Sequence, residues 1–133
     1  MKKLALPARR YCQLSGLLFL LLLLAGCSGG IQTSATIGNP TAKDILAEHP
    51  QTDLFQYNDT VYVNAENIDW VKETDLRGGV ETLTIAHSYI EGKPFQDSMA
   101  TKLPIGTVIY KSGQIFYAEV DGAEVRYLGM IEG

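Results

Sequence analysis

The chain has 133 residues, 46% of them hydrophobic, with eleven Lys and Arg against fifteen Asp and Glu and a formal net charge of −4. That length accommodates one domain. The acidic balance disfavours nucleic acid as a partner, and two cysteines are too few for a disulfide framework.

Lys2, Lys3, Arg9 and Arg10 make a positive start, followed by an unbroken apolar run over residues 17 to 24 and then small Ala25 and Gly26. This is the layout of an export signal. The apolar stretch is broken by Ser15 and Gly16 and falls short of the roughly 18 to 20 residues that a retained membrane-spanning helix needs. Leu24-Ala25-Gly26-Cys27 resembles the lipobox of bacterial lipoproteins. Small side chains admit a peptidase between Gly26 and Cys27, and only a thiol can be alkylated to a stable thioether carrying diacylglycerol. The resemblance implies a signal peptide over residues 1 to 26 and a mature protein held by lipid on Cys27, on the extracytoplasmic side of the cell membrane. Two acyl chains are enough for stable anchoring, whereas one is marginal.

Cys12 lies in the leader and Cys27 is consumed by lipid, so the mature chain has no thiolate for zinc, redox chemistry or nucleophilic catalysis. The leader also removes four basic residues and no acidic ones. Seven Lys and Arg then face fifteen Asp and Glu, a net charge of about −8. Such a field keeps a tethered domain soluble and favours cationic partners over anionic ones.

Residues 27 to 41 are rich in Gly, Ser, Thr, Asn and Pro and read as the lipidated cysteine and a flexible tether. A single β-rich domain is expected over residues 42 to 133. Ala42, Ile45 and Leu46, with Thr41 before them and Pro50 after, predict a short helix with His49 at its end. Residues 54 to 57 and 60 to 64 are β-prone and flank Asn58-Asp59, whose side chains tolerate the positive φ of a tight hairpin. Asn64 is placed to cap a turn of helix through Ile68 and Val71, and the sole tryptophan, Trp70, is expected in the core because of those flanking residues. Arg77-Gly78-Gly79 reads as a turn before one longer strand over residues 80 to 90.

The last third predicts three strands over residues 107 to 111, 114 to 120 and 123 to 130, joined by Ser112-Gly113 and Asp121-Gly122. Counting outward from two-residue turns sets Ile109, Phe116 and Tyr127 side by side on a core face, with Thr107, Ala118 and Val125 next to them. Tyr110, Ile115 and Leu128 share the other face with Val108, Tyr117 and Arg126. That face is too apolar for water, so a cover is expected, from the N-terminal hairpin in the first place or else from a partner. Tyr117 and Arg126 are expected to stack as a cation–π pair. The whole reads as mainly β, with α+β possible: a small antiparallel sandwich or barrel-like domain of five to seven short strands and one or two short helices.

No catalytic or metal-binding motif is present. His87 shares strand parity with Leu83 and Ile85 and reads as a core or strand-end histidine. The register places Glu119 opposite Glu124 beside the Asp121-Gly122 turn, a like-charge pair that is a candidate contact for a cation or partner; its spacing matches no calcium loop. Catalytic residues, metal ligands and cofactors are expected to be absent.

The lipobox together with "DLFQYNDTVYVNAENIDWVKE", "ATKLPIGTVIYKSG" and "VRYLGMIEG" resembles small uncharacterised lipoproteins of Bacillus-type Gram-positive bacteria over most of residues 42 to 133. The resemblance implies a cell-surface, β-rich domain and carries over no catalytic residues. Tyr57, Asn58, Val61 and Tyr62, followed by an acidic segment, are also similar to lantibiotic immunity lipoproteins, which would imply capture of a cationic peptide. The sequence therefore predicts a membrane-anchored, non-enzymatic binding domain for a peptide or envelope protein, or an accessory subunit of an envelope assembly.

Overall fold

The structure is a computed structural model that describes residues 38 to 132; the expected leader, Gly26, Cys27 and most of the expected tether lie outside the described residues. Helix α1 (Ala42–Glu48) opens on a reciprocal cap. The Thr41 hydroxyl accepts from the Asp44 amide at 3.2 Å, and the Asp44 carboxylate accepts from the Thr41 amide at 3.1 Å. The Thr41 hydroxyl also donates to the Asp44 carboxylate at 2.6 Å, and that bond first, then the one from the Thr41 amide, holds the Asp44 carboxyl below its ordinary pKa. His49 ends the helix, as expected.

Strands β1 (Leu54–Tyr57) and β2 (Thr60–Asn64) follow as a hairpin. Asn58 and Asp59 carry φ of 48° and 57°, the left-handed pair such a turn requires. Helix α2 (Asp69–Glu73) comes next, then β3 (Val80–Thr84), β4 (His87–Ser88), β5 (Met99–Ala100), β6 (Val108–Ser112), β7 (Ile115–Val120) and β8 (Ala123–Gly129). The eight strands form one sheet in the order β3-β6-β7-β8-β2-β1-β5-β4, antiparallel except for the β4–β5 pair. The domain is mainly β and barrel-like.

The curl of the sheet follows from its connectivity. β3 and β4 lie at opposite edges, yet only Ile85 and Ala86 separate them. Thr84 and His87 are three residues apart and span at most about 11 Å, so the sheet must bend until its edges nearly meet. Ile85 still bonds towards β6, its amide donating to the Thr107 carbonyl, whereas Ala86 donates to the Ser98 carbonyl beside β5. The single strand expected over residues 80 to 90 is therefore two, one serving each edge. That split, and the two-residue β5, raise the strand number above the expected five to seven.

The concave side holds the largest core: Phe55, Leu83, Ile85, Ala100, Leu103, Ile109, Phe116, Ala118 and Tyr127. Phe55 stacks on Tyr62 at 5.1 Å, and Tyr62 meets Phe116 at 4.2 Å between ring centroids. The convex side has two smaller cores. α1 seats Ala42 and Leu46 on Leu54 and Val61, and α2 with the segment after it seats Val71 and Leu76 on Ile115. The cover over Ile115, Tyr117 and Leu128 is thus α2, not the N-terminal hairpin, which instead extends the sheet through the β2–β8 pairing.

Of the predicted meander, the β7–β8 register is as counted, with Phe116 opposite Tyr127 and Ala118 opposite Val125. The β6–β7 turn is Gly113-Gln114 rather than Ser112-Gly113, which pairs Lys111 with Phe116 and Ser112 with Ile115. Gly113 at the first central position takes φ of 60°, as a type II′ turn demands. The shift is two residues and side chains alternate with period two, so every residue keeps its predicted face.

Trp70 is 50% exposed, against expectation. At 100° per residue, Ile68 and Val71 share one side of the turn, and Trp70 points some 200° from Ile68. Asn64 does not cap α2 either. Its side-chain oxygen accepts from the Glu66 amide, while Ile68 stands at the N-cap without a side-chain bond.

Candidate functional site

Among the described residues no group of three or more His, Cys, Asp or Glu side chains converges as a metal site, and no helix is long and apolar enough to cross a membrane. Glu119 and Glu124 do pair across β7 and β8 beside Asp121-Gly122. The repulsion is relieved by Arg126, whose guanidinium lies 2.6 Å from the Glu124 carboxylate while Glu119 stays exposed. The same guanidinium donates to the carbonyls of Val71 and, at 2.7 Å, Thr74, at the end of α2. Arg126 thus neutralises Glu124 and caps α2, and it is drawn away from the expected stack on Tyr117. Tyr117 stacks on Tyr110 instead, with centroids 5.5 Å apart, and passes so close to Gly79 that any Cβ there would collide with it. Among the described residues the cation held over a ring is Lys111, 5.5 Å from the Phe116 centroid.

His87 is exposed, in the short edge strand β4, and not in the core. It lines an open concavity of 620 Å³ with Ser88, Ile90, Pro94, Met99 and Ile105, completed by Lys93 and Gln96. Ile90 and Ile105 are 63% and 64% exposed. The concavity arises where the chain leaves β4 and returns from β5, so it is built on the curled sheet's closing edge. In β4 the amides of His87 and Tyr89 point to β5, which turns the Ser88 backbone outward. Large aliphatic side chains held apart on an open surface offer contact area to a partner. No carboxylate lines the concavity beside the His87 imidazole.

A second cleft, of 380 Å³, shares no residue with the first. Its floor is the Tyr62 and Phe116 rings and Leu128, and its rim carries Trp70, Lys111 and Ile131. Burial, with a smaller contribution from Tyr57, raises the Tyr62 pKa, so this floor is neutral. Gly129 leaves room for it, because a Cβ there would press on the Tyr62 ring at 3.2 Å. Met130, the residue between the cleft's Gly129 and Ile131, faces an adjoining groove with Pro40, Ile45, Val63, Asp44 and Glu48. The sequence signalled none of this, because a pattern of flanking apolar residues cannot separate a buried tryptophan from one just off the buried side.

The chain matches no protein-family model, no curated protein and no solved structure.

Proposed function

We propose that the chain is a lipoprotein anchored through Cys27 on the extracytoplasmic side of the cell membrane, and that its domain is a non-enzymatic binding module for an envelope protein. The observation that carries the binding role is the pair of exposed isoleucines, Ile90 and Ile105, across the concavity at the β4–β5 edge. Its lining carries Lys93 and His87 and no acid, so it suits an apolar partner surface with a neutral or anionic rim, unlike the acidic domain as a whole. The test is photo-crosslinking on native membranes, with the reactive residue placed at Ile90 or Ile105 and, as a control, at equally exposed Val80. A discrete envelope partner crosslinked from the two isoleucines and not from Val80 supports the role. The same faint pattern from all three positions contradicts it.

A second reading, capture of a cationic peptide, draws on the groove between α1 and β2. There Ile45, Val63 and Met130 line the groove together with Asp44 and Glu48. Glu48→Lys weakens peptide binding under that reading and leaves the β4–β5 concavity untouched.

A further inference from the structure

We infer that the second cleft is the face by which the domain rests on the lipid bilayer, with Trp70, Met130 and Ile131 dipping into the headgroup region. The inference rests on the proposed anchoring at Cys27 and adds to it an orientation. Two independent features place the contact here.

The first is the location of the apolar rim. Trp70 and Ile131 are 50% and 67% exposed on one cleft, and Met130 is exposed beside them. An indole at the edge of an apolar rim is the side chain that settles best at a membrane–water interface. The rim stands on rigid supports: Tyr62 and Phe116 belong to the aromatic stack of the concave core, and the carbonyl end of α2 is tied to β8 by Arg126. Met130 and Ile131 follow the end of β8, and the segment is held there by the Met130 amide donating to the Val61 carbonyl at 2.8 Å and the Glu132 amide donating to the Asn39 side chain.

The second is where the chain enters the domain. The Glu132 amide donates to the Asn39 side-chain oxygen at 2.9 Å, so the entry at Gly38–Asn39 is fastened to the residue following Ile131. Pro40 lines the same groove as Met130. Ten residues separate Cys27 from Gly38, and the eleven Cα–Cα steps between the two span at most about 40 Å even fully extended. A lipid on Cys27 therefore confines the domain near the bilayer, with this entry as the attachment point. Confinement raises the effective concentration of the adjoining rim against lipid, so a contact too weak to hold a free domain becomes populated. The β4–β5 concavity shares no residue with the rim and stays open to a partner.

Charge decides which lipid suits the contact. Lys111 lies on the rim, but Asp69 beside Trp70, Glu132 beside Ile131, and Asp44 and Glu48 in the adjoining groove are acidic, as is the domain overall. The contact is thus driven by apolar side chains and opposed by negative headgroups.

Trp70 is the sole tryptophan in the chain, so its fluorescence reads this rim alone. The protein isolated from membranes is reconstituted in phosphatidylcholine vesicles. In parallel, residues 27 to 133, which contain every described element of the fold and only one thiol, are coupled through Cys27 to a maleimide lipid. The second arm reads docking whether or not cells acylate Cys27, and intact mass of the first arm reads acylation separately. The expected result is a blue-shifted Trp70 emission, quenched by lipids brominated on their acyl chains and shielded from aqueous acrylamide. Ile131→Asp should reduce the lipid quenching several-fold, and added phosphatidylglycerol should weaken it. Emission unchanged from the uncoupled domain, with full acrylamide quenching, would overturn the inference. So would shielding from acrylamide without lipid quenching, which would mean that protein covers the rim, or quenching that requires anionic lipid.

Discussion

The two helices on the convex side of the sheet do the same job by opposite means. α1 spans seven residues and carries its own start signal, the Thr41–Asp44 box, before it packs on β1 and β2. α2 spans five residues, has Ile68 at its N-cap with no side-chain bond, and depends on Arg126 reaching from β8 to its last carbonyls. Helices this short are not stable alone. The first is specified locally and then packed, whereas the second is specified by the sheet it covers. Trp70 sits on the second, so the rim it contributes is as firm as the β8 contact beneath it.

Removing the shared support breaks both helices together. Phe116→Ala opens the aromatic stack in the concave core and should destabilise the domain by about 3 to 4 kcal/mol, with one cooperative transition in far-ultraviolet circular dichroism and Trp70 fluorescence alike. Separate transitions would mean that α2 does not depend on the sheet core.

Arg126→Ala separates the two. It strips the charged donor from the Val71 and Thr74 carbonyls and leaves Glu124 facing Glu119, and should cost about 2 to 3 kcal/mol. Amide exchange should accelerate across α2 well before it does across α1, with a red shift of Trp70 emission. Equal acceleration in both helices would remove the distinction.

Alkali probes the concave core from the side nearer α1. The Tyr127 hydroxyl donates to Asp53 at 3.0 Å, and burial first, then the Asp53 charge, raises its pKa well above the ordinary 10.0. The folded state therefore keeps a proton that the unfolded chain loses above pH 10. Stability is whole below that pH and falls above it by about 1.4 kcal/mol per unit. Tyr127→Phe should lower stability by about 1 to 2 kcal/mol at neutral pH and flatten that alkaline slope. An unchanged slope in urea titrations would contradict the assignment.

The smallest effect is expected at the local signal. Thr41→Ala removes the α1 cap and should cost about 1 kcal/mol. The Asp44 carboxyl, left with only the lesser bond from the residue 41 amide, should move up toward its ordinary 3.8 and lose the larger part of its share of acid-sensitive stability. That share is present above pH 3.8 and disappears as pH falls through the depressed folded value. The check is carbon-detected NMR titration of Asp44 in both proteins.

The same contrast explains what was legible in the sequence. Features carried by neighbouring residues were readable: the α1 cap, the Asn58-Asp59 hairpin, and the β7–β8 register set by Asp121-Gly122. Features fixed by distant contacts were not. Nothing local to residues 80 to 90 says that Ile85-Ala86 must carry the chain from one sheet edge to the other. Arg126 reads as Tyr117's neighbour until α2 is folded over it. Trp70 reads as core until a five-residue helix turns Ile68 and Val71 to one side. Both surface clefts are products of such long-range placement, and those of their residues that drew attention beforehand, His87, Trp70, Tyr62, Phe116 and Leu128, did so for different roles.

The proposed anchoring at Cys27 underlies both proposed faces, the one for a partner and the one for the bilayer. The most direct test is intact-mass and N-terminal fragment mass spectrometry of the protein extracted from bacterial membranes after expression of the full chain. The predicted result is a chain that starts at Cys27 and carries diacylglyceryl on its sulfur. A chain that keeps residues before Cys27, or starts there with a free thiol, would contradict it.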